Sequence, residues 1–172
     1  MTKTNLAITL NEPGWETEIP DLQNLANQVL IAALDYVNAH EEIDFLQMGK
    51  NVNFNLCLSN DDEVHTLNRD FRGMDKPTNV LSFAAIDDPD FDKNIELFED
   101  IEAGDIIIAL ETMQREAKEK GISLQDHFCH LFTHGILHLL GFDHIEDDEA
   151  EYMEDFEINI LKNLNIKNPY GD

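Results

Sequence analysis

Several histidines in one segment of this chain are spaced as metal ligands would be. His134 and His138 are four residues apart in the stretch THGILHLLGFDH, which spans residues 133–144. Residues four apart on a helix lie on the same face, one turn from each other, so two imidazoles can bind one cation. The spacing therefore predicts a metal chelate formed by His134 and His138.

A third ligand is available just beyond the end of this helix. Gly141 can take the left-handed backbone that ends a helix, and His144 follows three residues later. His130 is a poorer candidate, because eight residues of helix separate it from His138, a rise of about 12 Å. Nitrogens bound to one zinc ion lie within about 4 Å of each other. The predicted ligands are His134, His138 and His144.

Packed core histidines are the alternative interpretation of this segment. The helix is apolar almost all round, through Phe128, Leu131, Phe132, Leu137 and Leu139. Imidazoles without partners would be costly to bury there, and three at matched spacing favour a metal site. We interpret His127 and His130 as core residues or as partners of the ligands, and Cys129 as a buried packing residue.

Three neutral imidazoles leave a fourth coordination position open, which is typical of a catalytic zinc site. We predict one Zn²⁺ ion per chain. The spacing equals that of a class of zinc peptidases, but Gly135 stands where those enzymes carry their catalytic glutamate, so peptide hydrolysis is disfavoured. Asp143 is a candidate catalytic carboxylate, and equally a candidate hydrogen-bond partner for a ligand histidine.

A basic cluster precedes the third predicted strand. Arg69, Arg72 and Lys76 are three of only eleven basic residues and lie within eight positions. Arg72 comes just before Gly73, at a predicted helix end, where its planar guanidinium can bind a phosphate with two hydrogen bonds. We predict Arg72 to be catalytic and substrate-binding, with Lys76 as a second substrate-binding residue. For Arg69 and Lys76, pairing with a helix end or with carboxylates is the stronger alternative.

The overall charge limits the possible partners. Eleven basic and 36 acidic residues give a formal charge of −25, which excludes a protein that binds polyanions over its whole surface. Such a surface suits basic protein partners. With two cysteines, no apparent signal peptide and no apolar run long enough to span a bilayer, the sequence predicts a cytoplasmic protein that does not bind membranes.

Periodicity predicts an α/β (α+β) fold made of a single domain over residues 1–172. Strands are expected at residues 5–10, 52–58, 79–86 and 105–110, with an acidic connector between the last two. Helices are expected at about residues 21–39, 60–71, 111–120, 123–140 and 147–164. The prediction is one mixed sheet of about four strands with about five helices packed against it.

Two segments together resemble the YbeY family of bacterial endoribonucleases. One contains Arg72-Gly73 followed by DKPTNVLSF at residues 75–83, and the other is HGxLHLxGxDH at residues 134–144, continuing into DDEA at residues 147–150. Gly104-Asp105-Ile106 also fits. Residues 1–50 lie outside this motif-bearing region, and Met74 and Ala84 stand where many relatives have Lys and Pro.

The resemblance implies a metal-dependent hydrolase that is a zinc-dependent, single-strand-specific endoribonuclease. It implies action on the ends of small-subunit ribosomal RNA and in ribosome quality control, with Arg72 facing a zinc ion bound by the three histidines. Single-stranded RNA, ribosomal RNA, and basic ribosomal proteins or other assembly factors are the expected partners. The alternatives are a zinc amidase or peptidase, and a non-catalytic, metal-stabilised assembly factor.

Overall fold

Four strands form one mixed sheet within residues 3–171, the part of the chain that the structure, a computed structural model, describes. The strands are β1 (Lys3–Leu10), β2 (Asn51–Ser59), β3 (Val80–Ala84) and β4 (Asp100–Ala109). They lie in the order β1-β2-β4-β3, with β1 and β4 parallel to β2. β3 is antiparallel to β4 and forms one edge of the sheet. The predicted four-stranded mixed sheet is confirmed.

Seven α-helices accompany the sheet in the described chain, two more than the five expected. They are α1 (Gly14–Glu18), α2 (Leu22–His40), α3 (Asp61–Arg72), α4 (Phe91–Leu97), α5 (Leu110–Lys120), α6 (Leu124–Leu139) and α7 (Asp147–Asn163). The additional helices are α1 and α4, which are too short to show an apolar period. Two 3₁₀ turns, Asp44–Leu46 and Ala85–Asp87, complete the regular structure of these residues.

The main core lies between one face of the sheet and the long helices. On β2 the predicted alternation is realised: Val52, Phe54, Leu56 and Leu58 are all buried. α6 is the central helix, because it packs against β3, β4, α2, α5 and α7. None of the helices within residues 3–171 combines the length and apolar character that a bilayer-spanning segment requires.

The ends of the site-bearing helices follow the sequence signals. Asn60 Oδ1 accepts a hydrogen bond from the Glu63 amide (2.9 Å) at the start of α3, and Ser123 Oγ accepts one from the Asp126 amide (3.0 Å) at the start of α6. Gly73 ends α3 in the left-handed region, at φ 68°. These caps satisfy backbone groups that a helix leaves unpaired, so they fix where each helix begins and ends.

β4 begins at Asp100, five positions earlier than predicted, and an irregularity interrupts its pairing with β2. The register shifts opposite Asn53 and Phe54, and Gly104 lies at φ 138° beside the shift. A Cβ atom on Gly104 would lie 2.2 Å from the Phe83 carbonyl oxygen. The close approach of β3 to β4 therefore requires glycine at this position.

We expect Gly104→Ala to lower the free energy of unfolding by at least about 3 kcal/mol, because it adds both a backbone clash and an unfavourable φ. Gly121→Ala is the matched control. Its left-handed φ of 68° should lower the free energy of unfolding by about 1 kcal/mol, and no atom lies within 4 Å of the added methyl group. Urea unfolding followed by circular dichroism measures both values. Equal losses would contradict the role assigned to Gly104.

Candidate metal centre

The three predicted ligands meet at the end of α6. His134 and His138 lie one turn apart on the helix, and His144 returns from the loop that follows it. One ligand nitrogen from each of the three rings lies within 4.8 Å of the other two. The ring centroids of His138 and His144 are 5.0 Å apart, and those of His134 and His138 are 4.5 Å apart. The three histidines form a group that can hold a metal ion.

Hydrogen bonds fix which nitrogen of each helical histidine faces the centre of this group. His134 Nδ1 lies 2.8 Å from Glu157 Oε2, and His138 Nδ1 lies 2.9 Å from the Phe142 carbonyl oxygen. Both partners accept hydrogen bonds, so each Nδ1 carries the proton and each Nε2 presents a lone pair. The two Nε2 atoms are 3.0 Å apart. Two facing lone pairs repel each other unless a cation lies between them, so this donor set fits a metal ion.

Burial keeps one of these rings neutral. Desolvation, together with the neighbouring His134 and His144, lowers the pKa of His138 to about 4. A neutral imidazole is the form that binds a metal. At neutral pH the His138 ring is therefore available as a ligand without first losing a proton.

A buried carboxylate, that of Glu157, contacts His134 on the side of the ring away from the other two histidines. Glu157, on α7, has no exposed surface, and it accepts hydrogen bonds from His134, from His130 Nε2 (2.8 Å) and from the Tyr170 hydroxyl (2.6 Å). Burial alone would raise the pKa of Glu157, but the hydrogen bonds from His130 and His134 outweigh it and lower the pKa to about 2. The carboxylate is ionised and holds the His134 ring in one orientation.

Two further histidines of α6 lie outside the cluster. His127 is buried, and its Nε2 atom lies 2.8 Å from Glu116 Oε1. His130 is buried against Glu157 and the Tyr170 ring. His127 therefore contacts a carboxylate on α5, and His130 contacts the carboxylate that orients His134.

The loop that carries His144 is held by backbone and aromatic contacts. Gly141 leaves the helix at φ 100°, and the Asp143 carboxylate accepts a hydrogen bond from the His144 amide (2.7 Å). Phe142 stacks on Tyr152 of α7, with ring centroids 5.9 Å apart. Asp143 therefore orders the loop, whatever further role its carboxylate has.

A cleft of about 650 Å³ opens above the three histidines. Arg72, the last residue of α3, lines the cleft together with Asp143, with Asn79 just before β3 and with Ser82 within β3. The structure thus brings Arg72, Asp143 and the histidines to one cavity. Lys76 is exposed in the turn between α3 and β3, outside the residues found to line this cleft. Arg69 pairs with Asp70 at 3.0 Å on the surface, as the alternative interpretation expected.

Sequence reasoning missed Glu157, Tyr170 and Ser82. Glu157 lies among many acidic residues, but it follows Met153 by four positions and so shares the buried face of α7 with Met153 and Ile160. An acidic residue on an apolar stripe is the signal that could have identified it. Ser82 Oγ is buried and has no hydrogen-bond partner among the described residues, and nothing in the local sequence indicates this.

The packing around Gly135 bears on the peptidase alternative. A Cβ atom at this position would lie 3.0 to 3.2 Å from three side-chain atoms of Ile106 on β4. Gly135 therefore faces the sheet, and a glutamate there would be forced into the core. A glutamate at this position would require the Ile106 side chain to shift and would point at the sheet instead of the histidine cleft.

Comparison with known proteins gives a consistent family. Residues 9–165 match the family described as Endoribonuclease YbeY. The Endoribonuclease YbeY of Paramagnetospirillum magneticum is 40% identical over 173 residues, covering 100% of this chain and 99% of the relative. That of Rhizorhabdus wittichii is 45% identical over 162 residues, covering 93% of each chain.

A solved structure supports the fold independently. The solution structure of a protein from Thermotoga maritima superposes with a TM-score of 0.55 at 23% identity, covering 94% of this chain and 92% of that one. At this identity the likeness concerns the fold alone. The family match over most of the chain and the full-length relatives lead to one conclusion: this chain belongs to the YbeY endoribonuclease family.

Proposed function

We propose that this chain is a zinc-dependent endoribonuclease that cleaves single-stranded RNA in the maturation of small-subunit ribosomal RNA. The name of the family supports an endoribonuclease, and the relatives carry the same name. The observation that carries the zinc proposal is that the Nε2 atoms of His134 and His138 lie 3.0 Å apart, with a third histidine beside them. The geometry of Gly135 argues against a peptidase.

His134, His138 and His144 would hold the zinc ion. When bound there, zinc supplies a Lewis acid that polarises a phosphoryl oxygen. Glu157 and the Phe142 carbonyl oxygen keep two of these rings oriented, so the ligand atoms need little rearrangement before a metal arrives.

Arg72 binds the scissile phosphate across the cleft. Its guanidinium presents hydrogen-bond donors in a rigid plane, so it can hold a non-bridging oxygen as negative charge develops there. Gly73 ends α3 directly after it, which leaves the side chain at the rim of the cleft. Asp143 lines the same cleft and is our candidate for the proton acceptor, while Lys76 is our candidate for a more distant phosphate contact.

Glu157→Gln should weaken zinc binding by about 10- to 100-fold, because an amide cannot accept hydrogen bonds from both histidines at both of its terminal atoms. The measurement is a competitive titration of the purified protein against a zinc chelator at neutral pH. Circular dichroism checks that the variant has kept its fold.

Two controls bracket this experiment. His138→Ala removes a proposed ligand and should abolish stoichiometric zinc. Glu151→Gln changes an exposed residue of α7, the helix that carries Glu157, and should leave the zinc affinity unchanged. Unchanged affinity in a folded Glu157→Gln variant would show that the carboxylate does not orient His134. Unchanged zinc content in His138→Ala would refute the three-histidine site itself.

Arg72→Ala should reduce cleavage of single-stranded RNA by on the order of 10²-fold while zinc content stays the same, since one contact to a developing oxyanion is commonly worth about 3 kcal/mol. Arg69→Ala is the control, because Arg69 is already paired with Asp70. Cleavage is followed on a labelled oligoribonucleotide, with and without chelator. Equal, small losses in both variants would mean that Arg72 is an ordinary surface cation, and cleavage unaffected by chelator would refute metal dependence.

We further propose that the acidic surface recruits basic ribosomal proteins, which would bring an enzyme of charge −25 to its RNA. The first turn of α7 carries Asp147, Asp148 and Glu149. Changing these three to amides should weaken capture of purified basic ribosomal proteins at least several-fold, while cleavage of free RNA is unchanged or faster. Lost cleavage with capture preserved would instead assign these carboxylates to the active site.

A further inference from the structure

A second cavity lies on the other face of the sheet from the histidines. Its volume is about 390 Å³, and its walls include Asn55 and Cys57 of β2 together with Asp105 and Ile107 of β4. In the pairing register Asn55 lies opposite Asp105, and Asp105 lies opposite Phe83 of β3, so these three side chains share one face. The size is within the range of small-molecule sites.

The two cavities meet at the free edge of β3. Phe71 and Phe83 line both of them, and β3 is an edge strand. Ser82 lies on the face of β3 that belongs to the histidine cleft, and Phe83 lies on the opposite face. A strand of nucleic acid that passes over this edge can place a phosphate in the first cavity and an adjoining base in the second.

An exposed ring, Phe71, and a partly buried one, Phe83, form a pair at this junction that suits a flat apolar ligand. Phe71 is 71% exposed, although its ring is only 6.0 Å from that of Phe83, in an edge-to-face arrangement. Exposed aromatic rings beside a sheet are where proteins stack the bases of single-stranded RNA. The junction therefore offers a stacking surface at the point where a bound strand would cross.

The polar groups of the second cavity select against phosphate. Asp105 is an acidic residue beside Glu102, and burial, followed by the charge of Glu102, raises the pKa of Asp105. A phosphate would be repelled here, whereas a hydrogen-bond donor on a neutral ring would be attracted. A carboxylate commonly accepts a hydrogen bond from an exocyclic amino group such as N4 of cytosine.

We propose that this cavity binds one base of the RNA strand whose phosphate lies in the histidine cleft, and that Asp105 favours a base with an exocyclic amino group over uracil. The proposal rests on the function proposed above, because it assumes an RNA strand in the neighbouring cleft. It assigns stacking to Phe71 and Phe83, and base selection to Asp105.

The test uses the full-length protein as purified, titrated with cytidine 5′-monophosphate and uridine 5′-monophosphate and followed by the amide signals in NMR. The two nucleotides have the same phosphate and differ at the base edge. We expect the cytidine nucleotide to bind about tenfold more tightly, with shifts at Phe83 and Asp105. Asp105→Asn should remove this difference, and Phe71→Ala should weaken both nucleotides about tenfold.

Matched controls are available away from the cavity. Phe98 is 57% exposed beside α4, and Asp100 lies at the start of β4, so Phe98→Ala and Asp100→Asn should bind both nucleotides as the unmodified chain does. Equal affinities for the two nucleotides, binding by neither, or shifts confined to the histidine cleft would overturn the proposal. Neither nucleotide contains a phosphodiester bond, so this result is independent of whether the protein cleaves RNA, and failure of the proposed function would appear only in the cleavage assay.

Discussion

The hydrogen bond between the Glu157 carboxylate and His134 joins the last long helix to the metal centre. A fully buried carboxylate is costly unless its oxygens are satisfied, and here two histidines and the Tyr170 hydroxyl satisfy them. The contact with His134 places the proton of that ring on Nδ1. Together with the contact to His130 it links α7 to α6, and the hydrogen bond from Tyr170 links the C-terminal segment to α7. The orientation of His134 in the cleft thus depends on an interaction outside the cleft itself.

The parts of this molecule that the sequence predicts are those set by local spacing. His134, His138 and His144 could be grouped because a helical turn and a glycine determine their separation. Glu157 lies 23 positions after His134 and is brought to it by the packing of α7 against α6, so a local pattern can indicate that Glu157 is buried but cannot indicate its partner. Arg72 and Lys76 belong to one basic cluster in the sequence, yet of the two only Arg72 is among the residues that line the cleft.

A strongly acidic protein can still bind RNA at a local site. Salt screens the interaction between exposed charges beyond about 8 Å, so the charges close to a phosphate have the largest effect on its binding. Arg72 and the three histidines line one cleft beside β3, so they lie within this range of a phosphate bound there. A local site of this kind makes few phosphate contacts, so recognition must draw on the bases and on partners as well.

The order of the site residues along the chain has a consequence for biosynthesis. The histidine motif is translated before Glu157 and Tyr170, so the ligands leave the ribosome ahead of the groups that orient them. Until α7 has folded onto α6, His134 lacks the partner that selects its metal-binding tautomer. A nascent chain therefore carries all three histidines before the contact that orients His134 has formed.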